Sequence, residues 1–345
     1  MAGNRKNKSS IKSKLYRKLH WLIFSKIRPG KWIYNFYASY RHRNKKAQDD
    51  TNLSTLYITQ MVNDGAGIGH QIANYNGGYH TAQILGINHA YSGFSDMEWD
   101  EFLGFGVGEQ SVLMLKKEGY KVRKLPYFNE SRESLELIKK IVNSYAGEKI
   151  VFCIELDQFY QKQYEVIPHI KEKFESAPAR QYDRLIYDKS KINMAVHIRR
   201  GDIVDGQKSG KVSMTKRWLT TDYYLMIVKQ VAKVVGDQLE IYLFSQGNPE
   251  EFKEFEEYGH INYCFDMSAR DSFLHMVRAD ILVTSKSSFS YKPALLADGL
   301  RICPAEFWHG YPRNKKWILA GDKGEINQEI ELDGWNEKKA ITQQN

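Results

Sequence analysis

The densest potential chemistry in this sequence lies in six residues, His197-Ile-Arg-Arg-Gly-Asp202. They end an apolar run, Ile192 to Ile198, that reads as a buried strand. Open parallel α/β sheets bind their ligands outside the carboxyl ends of their strands. Two adjacent arginines at such a place are costly unless an anion pairs with them. Guanidinium groups hold phosphate oxygens bidentately and keep their charge. Arg199 and Arg200 therefore point to a phosphate group, with Gly201 allowing a tight turn and Asp202 able to lock one arginine. The competing reading is a structural ion-pair cluster at a strand end. An adhesive Arg-Gly-Asp signal is disfavoured, because these residues follow directly on a core strand.

A second cluster, Thr284-Ser-Lys-Ser-Ser-Phe-Ser290, follows the apolar run Ile281 to Val283 and opens a helix. Hydroxyls and backbone N–H groups at a helix N-terminus form an anion site. Ser287 and Ser288 are the candidates to hold a diphosphate opposite Arg199, although plain N-capping uses the same residue type. A third cluster, Gly65-Ala-Gly-Ile-Gly-His-Gln71, lets backbone approach a ligand closely. Its third glycine comes one residue early for the dinucleotide pattern, so it does not point to NAD.

These clusters need rigid elements to hold them. Ser54 to Val62 reads as a strand, the glycine loop follows, and Gln71 to Leu85 reads as a helix stopped by Gly86. Ile150 to Leu156 is a further strand, and residues 87–150 carry no clear order. Residues 160–188 are charged and interrupted by Pro168 and Pro178, which suits a link between domains. Then strands and helices alternate. Strands are expected at Ile192–Ile198, Leu239–Phe244, Ile261–Phe265, Ile281–Thr284 and Leu300–Cys303. Helices are expected from a cap at Thr221 or Asp222 to Val235, after Pro249, from Asp271 to Arg278, and from Phe289 to Ala297. Such alternation makes a parallel, doubly wound sheet.

The chain has 345 residues, suited to two α/β domains, at 51–185 and 186–345, behind a basic arm of residues 1–50. That arm holds 14 Lys and Arg against Asp49 and Asp50, a net of +12, whereas the other 295 residues carry 36 basic and 39 acidic side chains. The nearly neutral body weakens any nucleic-acid role for it. Leu15, Leu19, Leu22 and Ile23 recur at helical spacing among lysines and arginines, followed by Trp32 to Tyr37 and Arg41 to Lys46. A basic amphipathic segment over residues 11–46 fits an anionic membrane surface, and equally a helix docked on the protein's own body. No run approaches 18 apolar residues, so no membrane span and no secretory leader are expected. The three cysteines, Cys153, Cys264 and Cys303, have no metal or disulfide spacing, which suits a reducing compartment. The location expected is cytoplasmic, either free or peripheral at the inner face of the membrane.

Taken together, the three clusters resemble the GT-B fucosyltransferases, the superfamily of α-1,2-, α-1,6- and protein O-fucosyltransferases. The His-x-Arg-Arg-Gly-Asp block is complete at His197 to Asp202. The α-1,2 branch is the nearest: its Ser-Ser-Phe-Ser block is matched at Ser287 to Ser290, and an Asp opening the preceding helix at Asp271. Its glycine loop ends Gly-Asn-Gln, where this chain reads Gly69-His70-Gln71. The resemblance implies a GT-B-like fold of two Rossmann-like domains with a cleft between them. It implies that Arg199 binds the β-phosphate and stabilises the leaving diphosphate, that Ser288 touches the diphosphate, and that His197 and Asp271 read guanine. Gly67, Gly69 and His70 would line the cleft from the first domain. A Glu lies a few residues past the arginines in the α-1,6 branch, and Gln207 stands at that spacing here. Gln cannot accept a proton, so Asp205 is the choice for general base, with Asp64 and His70 as rivals.

The reaction so implied is an inverting transfer of L-fucose from GDP-β-L-fucose to a saccharide acceptor in glycan or polysaccharide synthesis. No Asp-x-Asp pair occurs in the chain, so no metal and no cofactor are expected, the arginines and a helix N-terminus standing in for a cation. Expected partners are the nucleotide-sugar donor, the saccharide acceptor and an anionic membrane surface, without nucleic acid. A GT-B transferase using another nucleotide sugar, or a non-catalytic binder of nucleotide or glycan, is the alternative.

Overall fold

The computed structural model describes residues 32–45, 51–61, 65–154, 160–201, 203–204 and 216–332. The basic segment before Trp32 lies outside the described residues, as do Asp64, Asp202, Asp205 and Gln207.

The first unit runs α1 (Trp32–His42), β1 (Leu56–Gln60), α2 (Ile68–Leu85), β2 (Asn88–His89), α3 (Met97–Leu103), α4 (Val112–Lys117), β3 (Lys121–Lys124), α5 (Arg132–Asn143) and β4 (Ile150–Ile154). Its four strands are parallel in the order β2-β1-β4-β3. The stretch 87–150, unordered in the sequence reading, supplies two edge strands and three helices. β2 is only two residues long, and all four residues of β3, Lys-Val-Arg-Lys, are exposed. Short, lysine-bearing edge strands avoid pairing with other chains, and that composition hides them from an apolar pattern.

A 3₁₀ turn, Lys162–Val166, and α6 (Ile167–Ser176) lead to the second unit. This unit contains β5 (Ile192–Ile198), α7 (Thr221–Val235), β6 (Leu239–Ser245), β7 (His260–Tyr263), α8 (Ala269–Arg278), β8 (Ile281–Val283), α9 (Ser288–Leu296), β9 (Leu300–Pro304) and β10 (Trp317–Ala320). Its six strands are parallel in the order β10-β9-β8-β5-β6-β7. The two parallel sheets are those expected, with differences at the ends of elements. Thr220, not Thr221 or Asp222, caps α7 by accepting from Tyr223 N. Ser268 caps α8 and starts it two residues before Asp271. The element after Pro249 is a 3₁₀ helix, Pro249–Tyr258, and β10 is an addition.

One face of the second sheet packs Met194, Val196 and Ile241 against Ile227, Val231 and Phe252. The other face packs Ala195, Leu282 and Cys303 with Phe273 of α8 and Tyr291 of α9. Ile72 and Tyr75 of α2, Trp99 and Leu103 of α3, and Ile170 and Phe174 of α6 join that same core. The two units therefore share apolar surface, and α2 crosses α9. Gly69 makes this crossing possible, since a Cβ there would lie 2.7 Å from the Ser288 carbonyl carbon. Both helices consequently bring their N-termini to one place.

α1 docks on the first unit through Tyr34 and Ala38, which are buried with Leu137 and Ile141 of α5. Phe36 and Tyr40, on its other side, are 73% and 63% exposed. No helix among the described residues is long and apolar enough to cross a membrane.

Candidate active site

The order of the second sheet dictates where its ligand site lies. From β5 the chain proceeds outward through β6 and β7 on one side, while β8, β9 and β10 lie on the other. The strand order reverses between β5 and β8, and a crevice opens at the carboxyl ends of two such strands. His197 and Arg199 stand at the end of β5, and Thr284 to Ser288 at the end of β8. Both clusters thus flank one switch point.

A cleft of about 550 Å³ occupies this position. Its walls include Gly67, Gly69 and His70 from the first unit, His197, Arg199 and Arg200 after β5, and Ser287 and Ser288 at the start of α9. The three clusters that stood out in the sequence are therefore brought together across both units. Arg217, Phe244, Phe265, Met267 and Ser272 complete much of the wall, and no motif marks them in the sequence. Among the described residues no carboxylate lines the cleft, while three arginines do. The electrostatic field there favours an anion.

The two adjacent arginines have different surroundings. Arg199 Nη1 donates to Ser287 Oγ at 3.2 Å, and its backbone N–H reaches Ser285 Oγ at 3.4 Å. Arg200 is 4% exposed. Its guanidinium donates to the carbonyls of Arg199 and Leu219 and to Thr221 Oγ1, and lies 4.2 Å from the Trp218 ring. Arg200 thus ties the β5 end to the start of α7, and burial lowers its pKa. Gly201 has φ +58, the left-handed turn that suits glycine.

Ser287 Oγ accepts from Phe289 N as well as from Arg199. Both of its lone pairs are then engaged, which leaves its hydroxyl proton as its remaining hydrogen-bonding capacity. Behind it, Ser285 Oγ pairs with Tyr224 OH at 2.8 Å, and Ser290 Oγ accepts from Ser285 N. This serine-rich turn is built as a rigid unit at the N-terminus of α9, where unpaired N–H groups and the helix dipole attract negative charge.

The glycine loop is braced by Gln71. Its Nε2 donates to Ala66 O and to Ser95 Oγ, each at 2.7 Å, and its Oε1 accepts from Ser95 N. His197 sits 5.7 Å from the Phe289 ring, and burial, with Arg199 next to it, pushes its imidazole down to about 3. It is a neutral group at physiological pH, able to donate from one nitrogen and accept at the other. Asp271 lies in the first turn of α8, is exposed, and accepts from Ser268 Oγ at 2.6 Å. Ser272, its neighbour, is the residue of that turn that lines the cleft, together with Ala269. Asp202 and Asp205 lie outside the described residues. No group of three His, Cys, Asp or Glu side chains is placed to hold a metal ion among the described residues. None of the three cysteines forms a disulfide, and burial raises Cys264 to about 11 and Cys303 to about 12, so neither of these two is a ready nucleophile.

No protein-family model and no curated protein sequence matches this chain. Among solved structures it is similar to POFUT1 in complex with GDP-fucose, at 13% identity and a TM-score of 0.45, over 74% of this chain and 97% of that one. It is similar to an Arabidopsis thaliana FUT1 variant in complex with GDP, at 11% identity and 0.45, over 91% and 82%. It is also similar to the E. coli heptosyltransferase WaaC with ADP, at 11% identity and 0.41, over 84% and 99%.

Proposed function

We propose that this chain is an inverting glycosyltransferase of GT-B type that moves L-fucose from GDP-β-L-fucose to a saccharide acceptor. The carrying observation is the meeting of Arg199, the Ser287–Ser288 turn and the Gly67–Gly69 loop in one cleft between two parallel-sheet units. A cleft walled by cations, a helix N-terminus and close backbone suits a diphosphate. Phe244, Phe265 and Met267 add an apolar wall suited to the face of a purine. The choice of guanine and fucose rests on the His-x-Arg-Arg-Gly-Asp and Ser-Ser-Phe-Ser blocks.

In this reading Arg199 and the α9 N-terminus stabilise the charge that develops on the leaving diphosphate. Arg200 holds the β5–α7 turn that aims Arg199. His197 reads the base through its neutral ring, and Asp271 is the second base-reading candidate. Asp205 removes the acceptor proton, with His70 as the rival in the described cleft wall. Asp202 braces an arginine. The reaction uses no metal. Residues 11–46 hold the enzyme at an anionic membrane surface, a role supported by the exposed Phe36 and Tyr40 beside Arg41 and Arg43.

Calorimetric titration of GDP-fucose and GDP-mannose into wild type and Arg199→Ala, with EDTA present, tests this. The reading expects GDP-fucose to be preferred, binding to weaken about 10- to 100-fold in the variant, and no effect of EDTA. Equal binding by Arg199→Ala would return His197 to Asp202 to the status of a structural cluster. Preference for GDP-mannose would keep the site and change the donor.

A further inference from the structure

Behind Ser288, away from the cleft, lies a row of buried polar side chains that the catalytic proposal does not use. Lys292, one turn along α9, is 1% exposed and has no carboxylate partner among the described residues. Its ammonium donates to Gln163 Oε1. Gln163, fully buried, donates from Nε2 to the Tyr160 carbonyl at 2.9 Å. The same Nε2 lies 2.8 Å from His309 Nδ1. His309 Nε2 lies 3.1 Å from Ser288 Oγ.

The direction of every bond in this row is fixed by chemistry. The Tyr160 carbonyl can only accept, so the end of the Gln163 amide facing it is nitrogen, and Oε1 faces Lys292, whose amine donates to it whether charged or neutral; burial lowers the Lys292 pKa well below its ordinary value. His309 Nδ1 has two neighbours, the Gln163 amide nitrogen at 2.8 Å and the Tyr160 carbonyl at 3.4 Å; the amide nitrogen can only donate and is much the nearer, so Nδ1 is the bare, accepting nitrogen. A neutral imidazole then carries its proton on Nε2. Burial and the neighbouring Lys292 charge push His309 down to about 2, which keeps the ring neutral. Nε2–H therefore donates to Ser288 Oγ, and the serine proton is left to turn toward the cleft.

We propose that Lys292, Gln163 and His309 form a one-way hydrogen-bond chain that makes Ser288 a donor toward an anionic oxygen in the cleft. These three are positioning residues, and the identity of the anion as a nucleotide diphosphate rests on the reading above. The chain also crosses the molecule. Tyr160 and Gln163 belong to the segment before α6, whereas Lys292, His309 and Ser288 belong to the second unit. Gly310 N donates to Gln161 O at 3.0 Å and holds that segment in place.

The direct test is the tautomer of His309 by nitrogen-15 NMR in the ligand-free protein, its signal assigned by its disappearance in His309→Asn. The proposal expects the Nε2-protonated form throughout pH 5 to 8. A proton on Nδ1 overturns it, whatever the ligand turns out to be. Gln163→Glu keeps the shape and reverses the polarity, since a carboxylate draws the imidazole proton to Nδ1 and turns Ser288 inward. GDP should bind this variant about tenfold more weakly, and Ser288→Ala likewise. The double variant should be no weaker than either alone, because both changes remove the same bond. Losses that multiply in the double variant, or unchanged GDP affinity in Gln163→Glu, overturn the proposal. If Arg199→Ala binds GDP as tightly as wild type, the nucleotide reading falls instead, and the tautomer still decides the chain.

Discussion

Arg199 Nη1 donates to Ser287 Oγ at 3.2 Å, so a side chain at the end of β5 is tied to the residue that caps α9 after β8. The bond spans the point where strand order reverses. It pre-orients the guanidinium beside the helix N-terminus, so a bound diphosphate would meet both without reorganising either.

Arg199→Ala should weaken GDP binding about 10- to 100-fold, the loss of a charge-assisted hydrogen bond, with little change in thermal unfolding. Arg199→Lys should recover only part of it, because a lysine cannot hold two oxygens in a fixed fork. Calorimetry on the three proteins checks this, and full recovery by lysine would refute the bidentate role.

Arg200→Ala should behave oppositely. It strands two carbonyls and a hydroxyl and uncovers Trp218, so it should lower unfolding free energy by about 2–3 kcal/mol. Urea titration of this variant beside Arg199→Ala separates the roles; equal stability of both would contradict the division drawn here.

Gly69→Ala should destabilise the protein by about 1–3 kcal/mol, through overpacking against the Ser288 backbone. Gly67→Ala is the control, as nothing lies within 4 Å of a Cβ there. If denaturant unfolding shows the two variants alike, α2 and α9 do not meet as closely as described.

Stability should fall on acidification. His197 and His309 have folded pKa values of about 3 and about 2, below the ordinary 6.5. As pH drops below 6.5 the unfolded chain takes up protons that the folded one refuses. The stability present above pH 6.5 is therefore lost progressively toward pH 3, at about 1.4 kcal/mol per pH unit for each histidine. His197→Gln should reduce the slope of unfolding free energy between pH 6 and 4 by one histidine's share, up to about 1.4 kcal/mol per pH unit, while His309, His169 and the other depressed histidines keep theirs. An unchanged slope would mean the ring is not buried as a neutral group.

Asp205→Asn should lower kcat by about 10²–10⁴ and spare GDP affinity, the signature of a lost general base. His70→Gln is its counterpart. Single-turnover rates on both decide between them, and a loss confined to His70→Gln would move the role to the glycine loop.

The second sheet was legible in the sequence because its strands are continuous apolar runs, such as Ile192 to Ile198 and Leu239 to Phe244, each followed by a capped amphipathic helix. The cleft was legible where like groups cluster along the chain, at Arg199–Arg200 and at Ser287–Ser288. What could not be read was contact between distant positions. Gln163 and His309 lie 146 residues apart, and each alone looks like an ordinary buried polar residue. The division between Arg199 and Arg200 was equally hidden. It depends on Trp218 and the Leu219 carbonyl, which only the folded β5–α7 connection places beside Arg200. β2 and β3 escaped because edge strands need neither length nor apolar alternation.

The crossing of α2 over α9 places the glycine loop and the serine turn on two helices whose first turns press together at Gly69. A ligand gripping both turns would pull on the seam between the units at the place where they already touch. A change that widens the Gly69–Ser288 contact would therefore shift two walls of the cleft at once.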